Sequence, residues 1–452
     1  MVPRAVSAAR IAVLTAREER AFEATHRRSR ALYDRAHRSL LNGVPMNWME
    51  KWPGPFPVFM DRAQGARLWD VDGNEYVDFC LGDTGAMVGH APAPTVDAVS
   101  ERMRTGTTAI LPTPDAVWVG EELSRRFGLP IWQVAMSATD ANRFALRLAR
   151  QITGRPKVLV FNWCYHGTVD ETLAVLDGSQ IVRRPGLIGP TQHPSETTRV
   201  VEFNDVEALE SALAQRDVAC VLTEPALTNI GIIPPEPGFH DALRQLTKAT
   251  GTLLVIDETH TLCAGPGGMT KAGGLSPDML VVGKSIGGGI PVAVFGMTAE
   301  VAAAAAEAVK EPGLNISGVG GTLSGNALCV ASIRATLSSR LTETDFARMI
   351  PLASRWASGV QATIDSAGLD WSVTQLGARA EYWLCPRPRT AAEAAAATDE
   401  DLEAFLHLHA LNRGILLTPF HNMVLMSPAT SAEDVDRHVD VFSGAVEELM
   451  MT

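Results

Sequence analysis

Asp257 and Lys284 each follow a short apolar run, LLVI at 253–256 and MLVV at 279–282. The runs are too short for helices, partly β-branched and bounded by turn residues, so both read as strands buried on both faces. In an open α/β sheet, ligand chemistry gathers at the carboxyl ends of strands, where both residues fall. A desolvated lysine amine is a nucleophile that forms a Schiff base with an aldehyde. A carboxylate opposite the nitrogen of pyridoxal phosphate keeps that ring protonated and able to accept electrons. Each residue alone has a plainer reading, the lysine as a solvated side chain and the aspartate as a helix cap.

Other stretches offer what such a cofactor would need. QVAMSATDANRFALRLARQ (133–151) reads as strand, tight turn and helix. Ser137, Ala138 and Thr139 then sit at a helix N-terminus, where unbonded N–H groups and the dipole favour a phosphate. They would serve equally as an ordinary N-cap. The strand at 158–161 leads into Asn162-Trp163-Cys164-Tyr165-His166-Gly167. The strand at 218–222 ends in Thr223-Glu224-Pro225, and Asn229 follows in TNIGIIPPEPGF.

The 452 residues exceed one ordinary core, so two domains are expected. A hydrophobic content of 46% and an aromatic content of 6% fit a packed globular enzyme. A net charge of −12 with mixed signs argues against nucleic acid or an anionic membrane as partner. No run approaches the ~20 apolar residues of a membrane span. The opening residues lack the apolar core of a signal peptide, and Glu18, Glu19 and Glu23 argue against a transit peptide. Cys80, Cys164, Cys220, Cys263, Cys329 and Cys385 are scattered without metal-ligand spacing. They read as reduced core residues of a cytoplasmic protein, with neither metal nor disulfide.

Along the chain, 4–40 reads as an amphipathic helical arm and 43–60, rich in Pro and Trp, as irregular. ARLWDVDGNEYVDF gives a hairpin around Asp72-Gly73. Helices are expected at 93–105, 114–127, 239–250 and from about 432, and the Ala-rich stretches 301–309 and 391–397 also read as helical. The Pro-containing stretch 178–198 reads as a long polar loop, a candidate cover for the site. Strands are expected within 371–384, then a helix over 398–413 with Thr398 and Asp401 as its capping box and Gly414 at its end.

Five ordered segments, SATDAN, CYHG, EP…IPPEPGF, DE…GKSIGGGIP and GGTLSGN, together resemble the class III pyridoxal-phosphate aminotransferases, nearest to their glutamate-1-semialdehyde 2,1-aminomutase branch. The likeness spans roughly 50 to 440. It implies the type I, aspartate-aminotransferase-like α/β fold: a mostly parallel large-domain sheet with helices on both faces, plus a small α/β domain. Boundaries follow at 1–75 for the N-terminal helix and arm, 76–325 for the large domain and 326–452 for the small one. By this resemblance Lys284 bonds the cofactor and shuttles a proton, and Asp257 pairs with the ring nitrogen. Ser137, Ala138 and Thr139 hold the phosphate, Tyr165 stacks on the ring, and Glu224, Asn229 and His260 lie around it, His260 near the phenolic oxygen. Thr259 replaces a usual valine beneath the ring. Thr322 would reach the phosphate of a neighbouring subunit's cofactor, which implies a homodimer with shared sites. Where Ala138 replaces a usual glycine, phosphate binding survives unless that turn needs a positive φ.

Three departures bear on the substrate. The arm arginine that grips a carboxylate in the aminomutases aligns with Asn47, Trp48 or Met49. The segment 419–425, PFHNMVL, lacks their glutamate, and Asp83 and Thr84 replace a less polar pair. Trp48 and Asp83 are therefore candidate substrate residues. Arg379, or Arg183 or Arg184, could replace the missing clamp, although Arg379 could as readily pair with Glu381. The departures favour an aminotransferase moving an amino group between a small-molecule donor and a separate carbonyl acceptor. The alternatives are a 2,1-aminomutase or racemase with the same machinery, or a non-catalytic cofactor-binding protein.

Overall fold

The computed structural model describes residues 6–189, 193–308 and 318–451, which form two compact units. One unit comprises 93–343 and 388–396; the other comprises 1–92, 344–387 and 397–452. Residues 4 and 5 of the expected arm, 190–192 of the expected loop and 309 of the Ala-rich stretch lie outside the described residues.

The first unit is built on a seven-stranded sheet. Its order is Ile131–Ala135, Ala293–Met297, Met279–Val282, Leu253–Asp257, Val218–Thr223, Lys157–Phe161 and Thr198–Val201. The Ala293–Met297 strand runs antiparallel to both neighbours, and the remaining pairs are parallel. The strands Val218–Thr223 and Met279–Val282 are buried along their whole length because helices cover the sheet, so VACVLT and MLVV are nearly continuous apolar runs rather than alternating ones. Phe144 and Ala145 of the Ala138–Thr153 helix pack with Val160, Leu222, Val255, Val281 and Phe295 in one core.

The units divide at 343/344 rather than 325/326, and at 92/93 rather than 75/76. The helix Ala327–Ser339 packs on the helices Ala93–Thr105 and Pro114–Phe127 and so belongs with the sheet. Buried Arg126 fixes that packing by donating to the carbonyls of Leu337 and Leu341, each at 2.7 Å.

The second unit holds the N-terminal helices Ala8–Thr25 and Arg27–Ala36 and the helices Glu343–Ala367, Glu400–Asn412 and Ala432–Met450. Its hairpin turns at Gly73 (φ +94°), a conformation that costs glycine little, and pairs Arg67 with Val77. Buried Glu18 ties the first helix to the Glu400–Asn412 helix through Asn412 at 2.8 Å and Arg413 at 3.1 Å. That helix is capped by Asp399, which accepts from the Leu402 N–H at 3.1 Å, one residue after the expected Thr398. A complete capping box occurs instead at Ser431 and Asp434. The stretch 178–198 is more ordered than a loop: Ala174–Asp177 and Gln180–Arg183 pair as a hairpin, and Pro194–Thr197 is a helical turn. No helix among the described residues is long and apolar enough to cross a membrane. All six cysteines are free thiols, and Cys385 alone is not fully buried.

Candidate active site

Asp257, Glu224 and Lys284 stand at or just beyond the carboxyl ends of three neighbouring parallel strands. The register aligns Asp257 with Val281, and Ile256 with Thr223. Gly283 makes the approach possible: a Cβ there would stand 3.0 Å from that of Ala138 and 3.3 Å from that of Ala293. The strand end therefore passes directly against the start of the Ala138–Thr153 helix. Lys284 itself has φ +53°, a conformation that a side chain bearing a Cβ adopts at a cost.

Asp257 is almost fully buried, and three donors hold it. Its Oδ2 accepts from Asn142 Nδ2 at 2.8 Å and lies 2.9 Å from His166 Nδ1; its Oδ1 accepts from the Thr259 N–H at 3.0 Å. Burial works against the charge, but the bond to His166, its positive charge and the Thr259 and Asn142 bonds outweigh it and bring the carboxyl down to about 2. His166 is buried too; Cys164 and Asp257 overcome that burial and raise it. Asn142 also donates to the His166 carbonyl at 3.1 Å, which fixes the two elements together. Neither Asn142 nor His166 stood among the expected site residues. Both lay inside quoted motifs, but only the fold shows that they converge on Asp257.

The helix after Ser137 has an N-terminus that could hold an anion. Ser137 caps it, accepting from the Asp140 N–H at 3.2 Å and donating to Asp140 Oδ2 at 2.9 Å. Ala138 does not adopt positive φ, so the change from glycine costs nothing in backbone conformation. Thr139 Oγ1 accepts from the Thr168 N–H at 3.1 Å, and Gly167 packs so closely that a Cβ would lie 2.9 Å from the Thr139 Cα. The next loop is tied in by Asn229, which donates to the Trp163 carbonyl at 2.8 Å. Arg184 stacks 5.6 Å from the Trp163 ring and 5.8 Å from the Tyr165 ring while donating to the Cys164 carbonyl at 2.7 Å.

Lys284 Nζ lies 2.5 Å from His260 Nε2, and His260 Nδ1 lies 2.7 Å from Thr228 Oγ1. Thr228 in turn donates its hydroxyl to Glu224 Oε2 and its N–H to Glu224 Oε1 at 3.3 Å. Thr228 was not among the expected residues, because a threonine in a loop carries no periodic signal. Glu258, beside Asp257 in sequence, is spent on structure: buried, it accepts from Thr261 at 2.5 Å and from the N–H groups of Met269 and Thr270.

Trp48, Asp83 and Arg379 belong to the other unit. Trp48 meets Phe420 edge-on at 5.4 Å, and Asp83 has φ +49° in a tight turn. Arg379 is wholly buried on the strand Arg379–Trp383 and pairs with Glu381 at 3.2 Å, while His421 Nδ1 approaches the other Glu381 oxygen at 3.2 Å. Thr322 is exposed.

An ionised buried carboxylate, a lysine amine and a helix N-terminus suit a protonated pyridine ring that carries an aldehyde and a phosphate. The buried hydroxyls of Thr259 and Ser285, which have no hydrogen-bond partner, leave polar capacity for such a group. The Aminotransferase class-III family model matches residues 48–358. This chain belongs to the class III aminotransferases. It is an enzyme of that pyridoxal-phosphate-dependent family, with the fold that the resemblance implied. A glutamate-1-semialdehyde 2,1-aminomutase from Sorangium cellulosum is 36% identical over 422 residues, covering 91% of this chain and 94% of the relative. The crystal structure of a glutamate-1-semialdehyde aminomutase from Pseudomonas aeruginosa PAO1 is 49% identical with a TM-score of 0.95, covering 98% and 99% of the two chains; a lysine-to-alanine variant of it was solved with PMP. An ω-transaminase from Sphaerobacter thermophilus is 29% identical, with a TM-score of 0.85 and coverage of 93% and 97%.

These findings overturn the expectation of transfer between separate molecules. That expectation rested on a missing arginine and a missing glutamate at positions that meet the substrate. Which side chain grips a carboxylate does not decide whether donor and acceptor carbons share one substrate, and the overall likeness runs to the aminomutases.

Proposed function

We propose that this chain is a 2,1-aminomutase of the glutamate-1-semialdehyde type, exchanging the amino and oxo groups of adjacent carbons in one substrate. The observation that carries it is the 49% identity over nearly the full length to the Pseudomonas aeruginosa aminomutase. Pyridoxal phosphate, when bound, supplies a carbonyl to take up amines and a protonated ring to take up electrons. The protein's part is to hold and move protons. Asp257, kept ionised by His166, Asn142 and the Thr259 N–H, holds the proton on the ring nitrogen. Lys284 is the covalent attachment point and carries a proton between neighbouring carbons. Ala138 and Thr139 offer N–H groups to the phosphate, with Ser137 shaping the turn, and Tyr165 and Asn229 line the ring.

Trp48 and Asp83 are assigned to the substrate side, whereas Arg379, bound to Glu381, is assigned to the integrity of its own sheet. We assign Thr322 to a partner's site in a homodimer. Its exposure supports this, as does that of Met103, Ile110, Leu111 and Leu323, apolar side chains that a partner would cover. The test of the function is glutamate 1-semialdehyde given to the holoenzyme without any amino acid or keto acid. Repeated turnover to 5-amino-4-oxopentanoate is expected. Conversion that starts only when a separate acceptor is added would overturn the proposal.

A further inference from the structure

We infer that Arg184 is the residue that grips the substrate's carboxylate, and so selects a carboxylate-bearing amine over a neutral one of the same size. The inference rests on the aminomutase reading of this site, since the substrate of that reaction carries a carboxylate remote from the two carbons that exchange their groups. A carboxylate that enters a water-poor site alone loses its hydration without return, so a cation must meet it there.

Of the arginines considered from the sequence, Arg379 is paired with Glu381 at 3.2 Å. Arg183 turns back on its own loop and donates to the carbonyls of Leu187, at 3.0 Å, and Gly189. Arg184 is held differently. Its N–H donates to the Leu173 carbonyl at 3.0 Å, which carries the hairpin past Arg183. Its guanidinium lies against the turn 163–165, with the Trp163 and Tyr165 ring centres at 5.6 Å and 5.8 Å, and its Nη1 donates to the Cys164 carbonyl at 2.7 Å. Trp163 has φ +58°, a left-handed conformation that a side chain adopts at a cost, and Asn229 holds it by donating to its carbonyl at 2.8 Å. Aromatic rings attract a cation without neutralising it. Burial lowers the guanidinium pKa, Cys164 and Tyr165 work against that, and no carboxylate stands among the described groups that hold its charge. A guanidinium has five N–H donors, and only the bond to Cys164 is recorded for this one among the described residues. The others can take a carboxylate in the guanidinium plane through two parallel bonds. The cation also stands in the right place, because Tyr165 adjoins His166, whose Nδ1 lies 2.9 Å from Asp257 Oδ2.

The experiment titrates the holoenzyme with two amines of equal size, 5-aminopentanoate and its neutral amide 5-aminopentanamide, and follows the change in cofactor absorbance on binding. The wild type should bind the carboxylate at least about 10-fold more tightly, the low end of what a charge-assisted bond gives. Arg184→Gln should remove that preference by weakening the carboxylate alone. Arg184→Lys, which keeps the charge and a donor for the Cys164 carbonyl, should retain part of it. Equal affinity for both amines in the wild type, or none for either, would overturn the clamp without any variant. So would an equal loss for both in Arg184→Gln, the mark of a residue that only props the turn. Equilibrium dialysis of the apoprotein with pyridoxal phosphate tests the other anion that an arginine here could hold. Cofactor affinity lost in Arg184→Gln, with the preference between the amines kept, would assign the guanidinium to the phosphate and overturn the clamp. A preference lost in Arg184→Gln, in an enzyme that makes no aminomutase product, would support the clamp and refute the proposed reaction alone. An unchanged KM for glutamate 1-semialdehyde in that variant would overturn the clamp and leave the reaction standing.

Discussion

His166 Nδ1 stands 2.9 Å from Asp257 Oδ2, with both side chains buried behind the carboxyl end of the central sheet. Burial alone would neutralise both; the bond to His166 and its charge help bring Asp257 down to about 2, and Cys164 together with Asp257 raises His166. The Asp257 contribution to stability is complete above the ordinary carboxylate value of about 3.9 and is lost as pH falls through about 2. The His166 contribution is complete below the ordinary histidine value of about 6.5 and is lost only as pH rises through its higher folded value. Denaturant unfolding of the apoprotein at stepped pH should therefore lose about 2 kcal/mol more between pH ~5 and pH ~2 in the wild type than in Asp257→Asn. The same variant should keep its fold at neutral pH but lose turnover by orders of magnitude. Activity within a few-fold of wild type would refute the role of Asp257.

Lys284 is the lysine that the Gly283 passage sets against the start of the Ala138–Thr153 helix. Borohydride reduction of the holoenzyme followed by peptide mapping should place the pyridoxyl group there. Label on Lys271 or Lys248 would contradict the assignment. Lys284→Ala should abolish turnover yet still retain pyridoxamine phosphate by equilibrium dialysis, since the helix N-terminus and Asp257 remain.

Thr322 is proposed to complete the site of a second copy. Lys284→Ala and Thr322→Ala proteins, each inactive or impaired alone, should regain activity when mixed under conditions that exchange subunits, because one site of each heterodimer is intact. An active enzyme that sediments as a monomer would dispose of the idea.

Arg379→Ala would leave Glu381 buried with its guanidinium partner gone, a change that typically costs about 3–5 kcal/mol. Thermal unfolding should shift accordingly, and the residual activity should fall alike for substrates with and without a carboxylate. A loss confined to carboxylate substrates, with stability unchanged, would make Arg379 the clamp instead.

Much of the large unit was legible because strands such as 253–256 and 279–282 are short, apolar and stopped by turn residues that no helix would carry. The placement of Lys284 and Asp257 side by side was legible for the same reason: strand ends fix where a side chain arrives. Asn142 and Thr228 were not, since their roles depend on distant elements, Asn142 meeting Asp257 and Thr228 linking His260 to Glu224. The unit boundary was misplaced because the packing of Ala327–Ser339 on two earlier helices leaves no mark in local composition. The cap at Asp399 was displaced by one residue because Thr398 and Asp399 are both good capping residues, and only the backbone chooses between them. The reaction was misjudged for a different reason: two absent side chains were weighed above the likeness of the whole chain.

The account stands most directly on whether one molecule serves as both donor and acceptor. Holoenzyme supplied with glutamate 1-semialdehyde alone, and followed by NMR to complete consumption, should yield 5-amino-4-oxopentanoate in a 1:1 ratio with no other amino acid or keto acid formed. Consumption that stops after one equivalent of enzyme, and resumes only when a keto acid or a second amine is supplied, would contradict it.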